Sequence, residues 1–319
     1  MSSVQVHNAL KIDPERVTEL LSEYIRETIT KKLRKKGGVI GISGGIDSAV
    51  VLALTVRALG SDKVFGLMLP ERDSSSDSLT LATELADRFK IPYAVEDITP
   101  ALKGFGCYKR RDEAVRRIFP EYNETYKVKI GLPTDLPGKN ILNVFYITIV
   151  SPGGGEKKAR LPVREFQEIV AASNMKQRSR MMMLYYHAER LNYAVLGTGN
   201  KNEHELGFFV KYGDGAADLK PIIHLFKTQI YQLAEYLEIP ETIIKRTPTT
   251  DTYSAEQTQE EFFYRLPFAV LDFVWSGYEN DYSVNEMAIK LNLSEDAVKS
   301  IINDIRRKIR ATDYLRIVI

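Results

Sequence analysis

Several features that would assign the chain to a particular class of protein are missing. The 319 residues include a single cysteine, Cys107, so no disulfide framework can form within the chain. No apolar run approaches the roughly 20 residues of a membrane-spanning helix. Residues 1–21 lack the positively charged start and apolar stretch of a secretory signal. We therefore expect a cytoplasmic protein with no membrane partner.

An excess of charge of one sign is also missing, because the formal net charge is only +2. This balance gives the whole molecule no reason to bind a polyanion, so no nucleic-acid partner is expected. The four histidines are scattered without the spacing of a metal site. The 44% hydrophobic content suffices for a large core, and we expect residues 1–319 to form one domain.

Short apolar strands alternate with helical patterns in the first hundred residues. The order is strand, helix, strand, helix, strand, at 38–42, 48–59, 64–69, 77–89 and 93–97. Almost continuously apolar strands are typical of a sheet that is covered on both faces. The pattern predicts an α/β fold with a doubly wound, mostly parallel sheet and flanking helices.

The periodicity changes within residues 101–161, which we interpret as a small β-rich insertion in the domain. Residues 140–150 and 156–161 read as strands of a hairpin around 151–155. A long helix to about Leu191 and a strand at 193–197 then resume the first pattern. The C-terminal region is expected to be helical.

A glycine turn joins the first strand to the next helix and is the most informative motif. It reads Gly41-Ile-Ser43-Gly44-Gly45-Ile46-Asp47-Ser48. Glycine lets the backbone approach a ligand closely, while serine hydroxyls and the N–H groups of a helix start donate to phosphate. No lysine follows the glycines, so this is not a Walker loop. Asp47 would repel a polyphosphate unless a divalent cation lay between them, which implies Mg²⁺.

A second polar cluster follows the strand at 193–197 and includes Thr198 and Glu203. In an open α/β sheet, ligands bind beyond the carboxyl ends of the strands. Two loops that each follow a strand can therefore face one site. Glu203 could then join Asp47 on the metal ion.

The ordered motifs resemble those of the ammonia-dependent NAD synthetases, within the ATP pyrophosphatase superfamily. The resemblance covers about 38–85 and 166–271. Besides the glycine turn, it rests on these segments: Asn174-Met-Lys-Gln-Arg178-Ser-Arg-Met, Thr198–Glu203, Phe208–Asp218, Leu225-Phe-Lys227 and Thr247-Pro-Thr249.

The resemblance implies a role for each matching residue. ATP would be held by the following residues: Gly41, Ser43, Gly44, Gly45, Ile46, Asp47, Ser48, Thr198, Lys227 and Thr249. Deamido-NAD would be met by Asn174, Arg178, Phe208, Phe209, Lys211 and Asp218. Asp47 and Glu203 would bind Mg²⁺. Asp47, Lys227 and Asp218 would be catalytic, with Asp218 or Asp214 as a general base for ammonium.

The implied reaction has two steps. The nicotinate carboxylate attacks the α-phosphorus of ATP and releases pyrophosphate, and ammonia then converts the acyl adenylate to the amide. The family further suggests a homodimer. Cys107 has no accompanying glutaminase unit, so free ammonia or a separate glutaminase partner would supply nitrogen.

Three other functions remain open from the sequence. A related ATP pyrophosphatase could amidate or thiolate a different acceptor, and a non-catalytic protein could only bind a nucleotide. Residues 283–305 also resemble a helix-turn-helix, which would indicate DNA binding. However, its second helix would present Glu295, Asp296 and Asp304, a poor match to phosphate.

Overall fold

The computed structural model describes residues 8–132, 145–249 and 252–317. The strands are β1 (Gly38–Gly41), β2 (Val64–Met68), β3 (Tyr93–Val95), β4 (Lys127–Gly131), β5 (Tyr146–Val150), β6 (Glu156–Arg160) and β7 (Ala194–Leu196). The helices are α1 (Pro14–Glu27), α2 (Ile46–Leu59), α3 (Ser76–Arg88), α4 (Thr99–Gly104), α5 (Cys107–Arg116), α6 (Val163–Leu191), α7 (Lys201–Leu206), α8 (Lys227–Tyr236), α9 (Glu241–Ile244), α10 (Phe268–Glu279), α11 (Val284–Leu291) and α12 (Glu295–Ala311).

The main sheet is parallel and has the strand order β3-β2-β1-β7. Successive residues of a strand point to opposite faces, so Val39 and Ile40 enter different cores. One core contains α1, α2, α3 and α8, and the other contains α4, α5 and α6. The predicted doubly wound fold is therefore confirmed.

The strand order places the switch point of the sheet between β1 and β7. The chain adds β2 and β3 on one side of β1 and returns to add β7 on the other side. Connections that leave neighbouring strands in opposite directions open a crevice at their carboxyl ends. The glycine turn after β1 and the polar loop after β7 both lie at this crevice.

The segment 101–161 contains two helices that the sequence did not predict. It begins with the end of α4 and with α5, and α5 packs against α6. It then forms a three-stranded antiparallel sheet, β4-β5-β6, of which β4 was also missed. The hairpin around 151–155 is confirmed, with Ser151 N–H donating to the Gly155 carbonyl at 2.9 Å. Residues 140–144, expected to start a strand, lie outside the described residues.

The C-terminal region is helical, as predicted. Helices α10, α11 and α12 enclose a separate core around Trp275, which is 1% exposed. The Ser283 hydroxyl and the Glu286 carboxylate form a capping box at the start of α11. Among the described residues, no helix is both long enough and apolar enough to cross a membrane.

Candidate active site

The glycine turn after β1 has a backbone that only glycine adopts readily. Gly44 has a φ of +72°, and a Cβ there would lie 2.7 Å from the Ser78 carbonyl oxygen. The Ser43 hydroxyl accepts from Gly45 N–H at 3.3 Å, and the Ser48 hydroxyl donates to the Gly45 carbonyl at 2.9 Å. The hydroxyls thus hold the turn in place before α2 begins, and the first N–H groups of α2 remain directed at the crevice.

Asp47 and Glu203 come together through Asn200. The Asn200 side-chain amide donates to Asp47 Oδ1 at 3.0 Å, and its backbone N–H donates to Glu203 Oε2 at 3.1 Å. The Asn200 side-chain oxygen accepts from the Glu203 N–H at 3.0 Å, which completes a capping box on α7. One buried asparagine therefore orients both carboxylates, a role that the sequence did not assign.

Lys227 supplies the positive charge beside this carboxylate pair. Its ammonium forms a salt bridge with Asp47 Oδ2, and the side chain is only 1% exposed. Burial alone would lower the pKa of Lys227, but the charges of Asp47 and Glu203 raise it. Burial and the charge of Asp47 together raise the pKa of Glu203 to about 8. Glu203 therefore tends to keep its proton beside the Asp47–Lys227 pair unless a further cation joins them.

A buried hydrogen-bond network fixes the start of α8, where Lys227 is located. Asn202 Oδ1 accepts from the Lys227 N–H at 2.9 Å, and Asn202 Nδ2 donates to Asp272 Oδ1 at 2.5 Å. Asp272 Oδ2 accepts from the Thr228 N–H at 2.9 Å. Burial raises the pKa of Asp272 to about 6. Asn202 and Asp272 therefore hold Lys227 in position. Sequence analysis assigned neither residue a role.

The two loops open into one cavity of about 790 Å³. Most of the predicted site residues line it: Gly41, Ser43, Gly45, Ile46, Asp47, Ser48, Asn174, Arg178, Thr198, Glu203, Phe208, Phe209, Lys211, Lys227 and Thr249. Residues of β1, α2, α6, α7 and α8 therefore converge although they are far apart in the chain. A cavity of this size has room for a dinucleotide-sized ligand.

Gly44 and Asp218 are the two predicted site residues that do not line this cavity. The Gly44 carbonyl accepts from Arg246 at 3.3 Å, so Gly44 shapes the turn. The Asp218 carboxylate accepts from the Val195 N–H at 2.7 Å and from the Tyr185 hydroxyl at 3.2 Å. In this structure Asp218 ties the loop after β7 to the sheet and to α6.

Arg178 and Lys211 lie together at the rim of the cavity. Arg178 Nε donates to the Lys211 carbonyl at 3.2 Å. The Lys211 ammonium donates to the carbonyls of Tyr314 and Ile317, each at 3.3 Å. The last described residues therefore close one side of the rim. The described hydrogen bonds of both cations go to neutral backbone carbonyls, which leaves their charges to pair with an anionic ligand.

A buried charge cluster holds the β2–α3 loop against α6. Lys176 donates to Glu71 Oε1 at 2.9 Å, to Asp73 Oδ2 at 2.7 Å and to the Thr252 carbonyl at 2.9 Å. Arg180 Nε donates to the Leu69 carbonyl at 3.2 Å. Because this loop lines the cavity, the cluster sets one of its walls.

The surroundings of Cys107 make its thiol unreactive. Its thiol is 1% exposed and donates to the Ala172 carbonyl at 3.2 Å. Burial raises the pKa of the Cys107 thiol, whereas a nucleophilic cysteine needs a lowered pKa. The thiol therefore packs in the core between α5 and α6.

The fold and the cavity define a nucleotide-binding protein of the doubly wound α/β class. A family model described as NAD synthase matches residues 17–123 and 156–311. The chain belongs to the NAD synthase family, as the sequence motifs predicted.

Two curated relatives agree with this family. The chain is 43% identical over 321 residues to the NH₃-dependent NAD⁺ synthetase of Rhizobium rhizogenes, covering 99% of this chain and 96% of the relative. It is 46% identical over 310 residues to that of Rhizobium meliloti, covering 97% and 92%.

Two solved structures share the fold. They are an NMN synthetase from Francisella tularensis, with a TM-score of 0.65 and 23% identity, and an NH₃-dependent NAD synthetase from Campylobacter jejuni, with 0.62 and 24%. Each alignment covers 97% of this chain and 98% of the other.

Proposed function

We propose that the chain amidates deamido-NAD to NAD, using ATP and ammonia and releasing AMP and pyrophosphate. The observation that carries this proposal is the convergence of the glycine turn, Asp47, Glu203 and Lys227 in a cavity that Arg178 also lines. The glycine turn with Asp47, Glu203 and Lys227 suits a triphosphate. The Arg178 guanidinium suits the anionic groups of a dinucleotide. Family membership and the long matches with NH₃-dependent NAD⁺ synthetases support the same reaction.

In the first step, a carboxylate oxygen of the nicotinate attacks the α-phosphorus of ATP. The bond from this phosphorus to the bridging oxygen breaks, and pyrophosphate leaves with the electron pair. Lys227 and the N–H groups after the glycine turn stabilise the charge that accumulates on the leaving group. No side chain acts as a nucleophile, because the substrate itself supplies the attacking oxygen.

In the second step, ammonia adds to the carbonyl carbon, and the bond to the AMP oxygen breaks. A base must take a proton from ammonium or from the adduct. Asp214 lines the cavity and accepts from the Val210 N–H at 2.8 Å, and desolvation raises its pKa to about 6. A base near the working pH is effective, so we place Asp214 in this role and keep Asp218 as the alternative.

The paired carboxylates fit a magnesium ion. Within the described residues, no group of three or more His, Cys, Asp or Glu side chains could hold a metal. Asp47 and Glu203 would therefore hold it as two ligands, and phosphate oxygens and water would complete the roughly six oxygens that Mg²⁺ prefers. The raised pKa of Glu203 supports the fit, since a cation would relieve the repulsion from Asp47. The ion would neutralise charge on the triphosphate.

We also propose the assembly and setting of the enzyme. Residues 1–319 would act as one domain that carries 101–161 as an insertion, in a cytoplasmic homodimer. Free ammonia, or a separate glutaminase, would supply nitrogen, because the buried Cys107 thiol cannot serve as a glutaminase nucleophile. Sedimentation tests the homodimer, and a comparison of ammonium with glutamine as nitrogen donor tests the source of nitrogen.

The central experiment supplies ATP, Mg²⁺ and ammonium together with deamido-NAD or with nicotinic acid mononucleotide. We expect equal amounts of AMP and NAD with deamido-NAD, and little product with the mononucleotide. Amide formed only from the mononucleotide would favour a different acceptor. If neither acid gave AMP, the chain would be a nucleotide binder without this activity.

A further inference from the structure

The cavity has an apolar wall at the end nearest the small antiparallel sheet. We define this apolar wall as Ile130, Phe145, Phe166, Val170 and Phe262, all of which line the cavity. Ile130 belongs to β4, and Phe145 immediately precedes β5. The family model leaves residues 124–155 unmatched, whereas the Rhizobium rhizogenes relative aligns with 99% of the chain. The added segment thus supplies two of the five wall residues.

The apolar wall is more than the core of the small sheet. Val128, Ile130, Ile147 and Ile149 are at most 1% exposed and form the interior of that core, so the accessible part of the apolar wall comes from its other four residues. By contrast, Phe145 and Phe166 are only half-buried and form its outer layer toward the cavity. Their rings stack with centroids 4.4 Å apart. A layer of this kind presents a large hydrophobic surface to whatever the cavity binds.

Two observations locate the apolar wall next to the reacting end of the substrate. Along α6, Val170 lies one turn, about 6 Å, before Asn174, which is expected to contact deamido-NAD. The Phe262 ring lies 5.7 Å from the ring of Phe208, and the family resemblance implies that Phe208 or Phe209 would stack on the pyridine. The wall therefore continues the surface on which the nicotinoyl group would rest.

We propose that the apolar wall protects the acyl adenylate from water, so that ammonia rather than water reaches its carbonyl carbon. This inference rests on the proposed function. In the competing reaction, a water oxygen adds to the carbonyl carbon, the bond to the AMP oxygen breaks, and the acid is regenerated with loss of protons to solvent. ATP is then consumed without amide. An apolar surface offers water no hydrogen-bond partners and therefore disfavours its presence there.

The test replaces Phe145 with alanine in the full-length chain and compares AMP with NAD at several ammonium concentrations. In the wild type we expect about one AMP per NAD. In the variant we expect about three or more AMP per NAD when ammonium is limiting, because admitted water competes for the same carbonyl carbon. The excess should fall as ammonium rises. A variant that turns over but still gives one AMP per NAD at limiting ammonium would overturn the proposal.

Tyr146→Ala is the matched control. Tyr146 is the next residue in the chain and does not line the cavity; its ring packs under the Lys158 ammonium at 4.9 Å. In Tyr146→Ala the ratio of AMP to NAD should stay at about one, as in the wild type. If it rose as much as in Phe145→Ala, the effect would come from the small sheet as a whole and would contradict the proposal.

Phe166→Ala provides a second wall variant in case Phe145→Ala does not fold. This substitution should also raise the ratio of AMP to NAD. An unchanged ratio in a folded Phe166→Ala protein would overturn the proposal. Failure of the proposed function looks different, because the wild-type chain would then make no NAD at all.

Discussion

Replacing Lys176 with methionine should lower the free energy of unfolding by about 3 to 5 kcal/mol. The Lys176 ammonium is 1% exposed and donates to Glu71, Asp73 and the Thr252 carbonyl at 2.7 to 2.9 Å. Methionine keeps much of the side-chain volume but leaves both carboxylates buried, with Arg111 at 2.5 Å and Arg72 at 3.5 Å from Asp73 as remaining cations. An uncompensated buried charge is costly, and that cost is the expected loss.

The pH dependence of this loss in unfolding free energy tests whether the buried charge causes it. Burial would raise the pKa of Asp73, but Lys176 and Arg111 outweigh it and lower the pKa from 3.8 to about 2. A lowered folded-state pKa adds stability above about pH 4 that disappears as the pH falls through 2. In the variant the Asp73 pKa should be higher. The difference between the two proteins should therefore be largest near pH 7 and should shrink on acidification.

Urea unfolding at pH 7 and pH 3, followed by circular dichroism, measures the loss, because pH 3 lies between the ordinary and the lowered pKa of Asp73. Lys31→Met is the matched control, because Lys31 pairs with Glu27 at 2.6 Å while the two side chains are 72% and 46% exposed. This variant should lose far less stability than Lys176→Met, because water screens an exposed ion pair. Equal losses in the two variants, or a Lys176→Met loss that does not change with pH, would refute the reasoning.

Three further predictions concern the proposed reaction. Asp47→Asn should abolish pyrophosphate release while the protein remains folded, and normal turnover measured in a pyrophosphate assay would contradict its role. Arg178→Ala should raise the KM for deamido-NAD by about tenfold or more, because a charge-assisted hydrogen bond contributes about 1.5 to 3 kcal/mol. An equal rise in the KM for ATP would count against this role. The wild-type kcat should rise through about pH 6 as Asp214 ionises, and Asp214→Asn should remove this rise. If the dependence of kcat on pH were unchanged in Asp214→Asn, another group would be the base, and Asp218→Asn would test the alternative.

The sequence predicted the main sheet well because its strands are short, apolar and separated by clear helical periods. Both faces of β1 are covered, so Val39 and Ile40 are each 0% exposed, and a continuous apolar run was the correct signal. The small sheet was harder to predict. Its strand β4 was missed, because Lys-Val-Lys-Ile-Gly offers only two apolar residues to indicate a strand, whereas β5 and β6 were predicted from the glycine turn between them.

The site was predicted where residue type alone indicates the chemistry, as in the glycine turn with Asp47. Asn200, Asn202 and Lys176 were not assigned roles because their functions depend on partners that folding brings to them. Lys176 meets Asp73 across 103 positions in the chain, and a lysine in a helical pattern is usually solvated. Nothing local distinguishes a buried lysine from an exposed one.

The adjacency of β1 and β7 has a consequence for how the enzyme acquires activity. Asp47 meets Asn200, 153 residues further along the chain, and Lys227, 180 residues further. A polypeptide emerging from the ribosome therefore exposes its glycine turn long before the matching ammonium has been synthesised. Contacts of such high sequence separation form late in folding. Recovery of turnover during refolding should thus coincide with the last cooperative step and report a completed sheet.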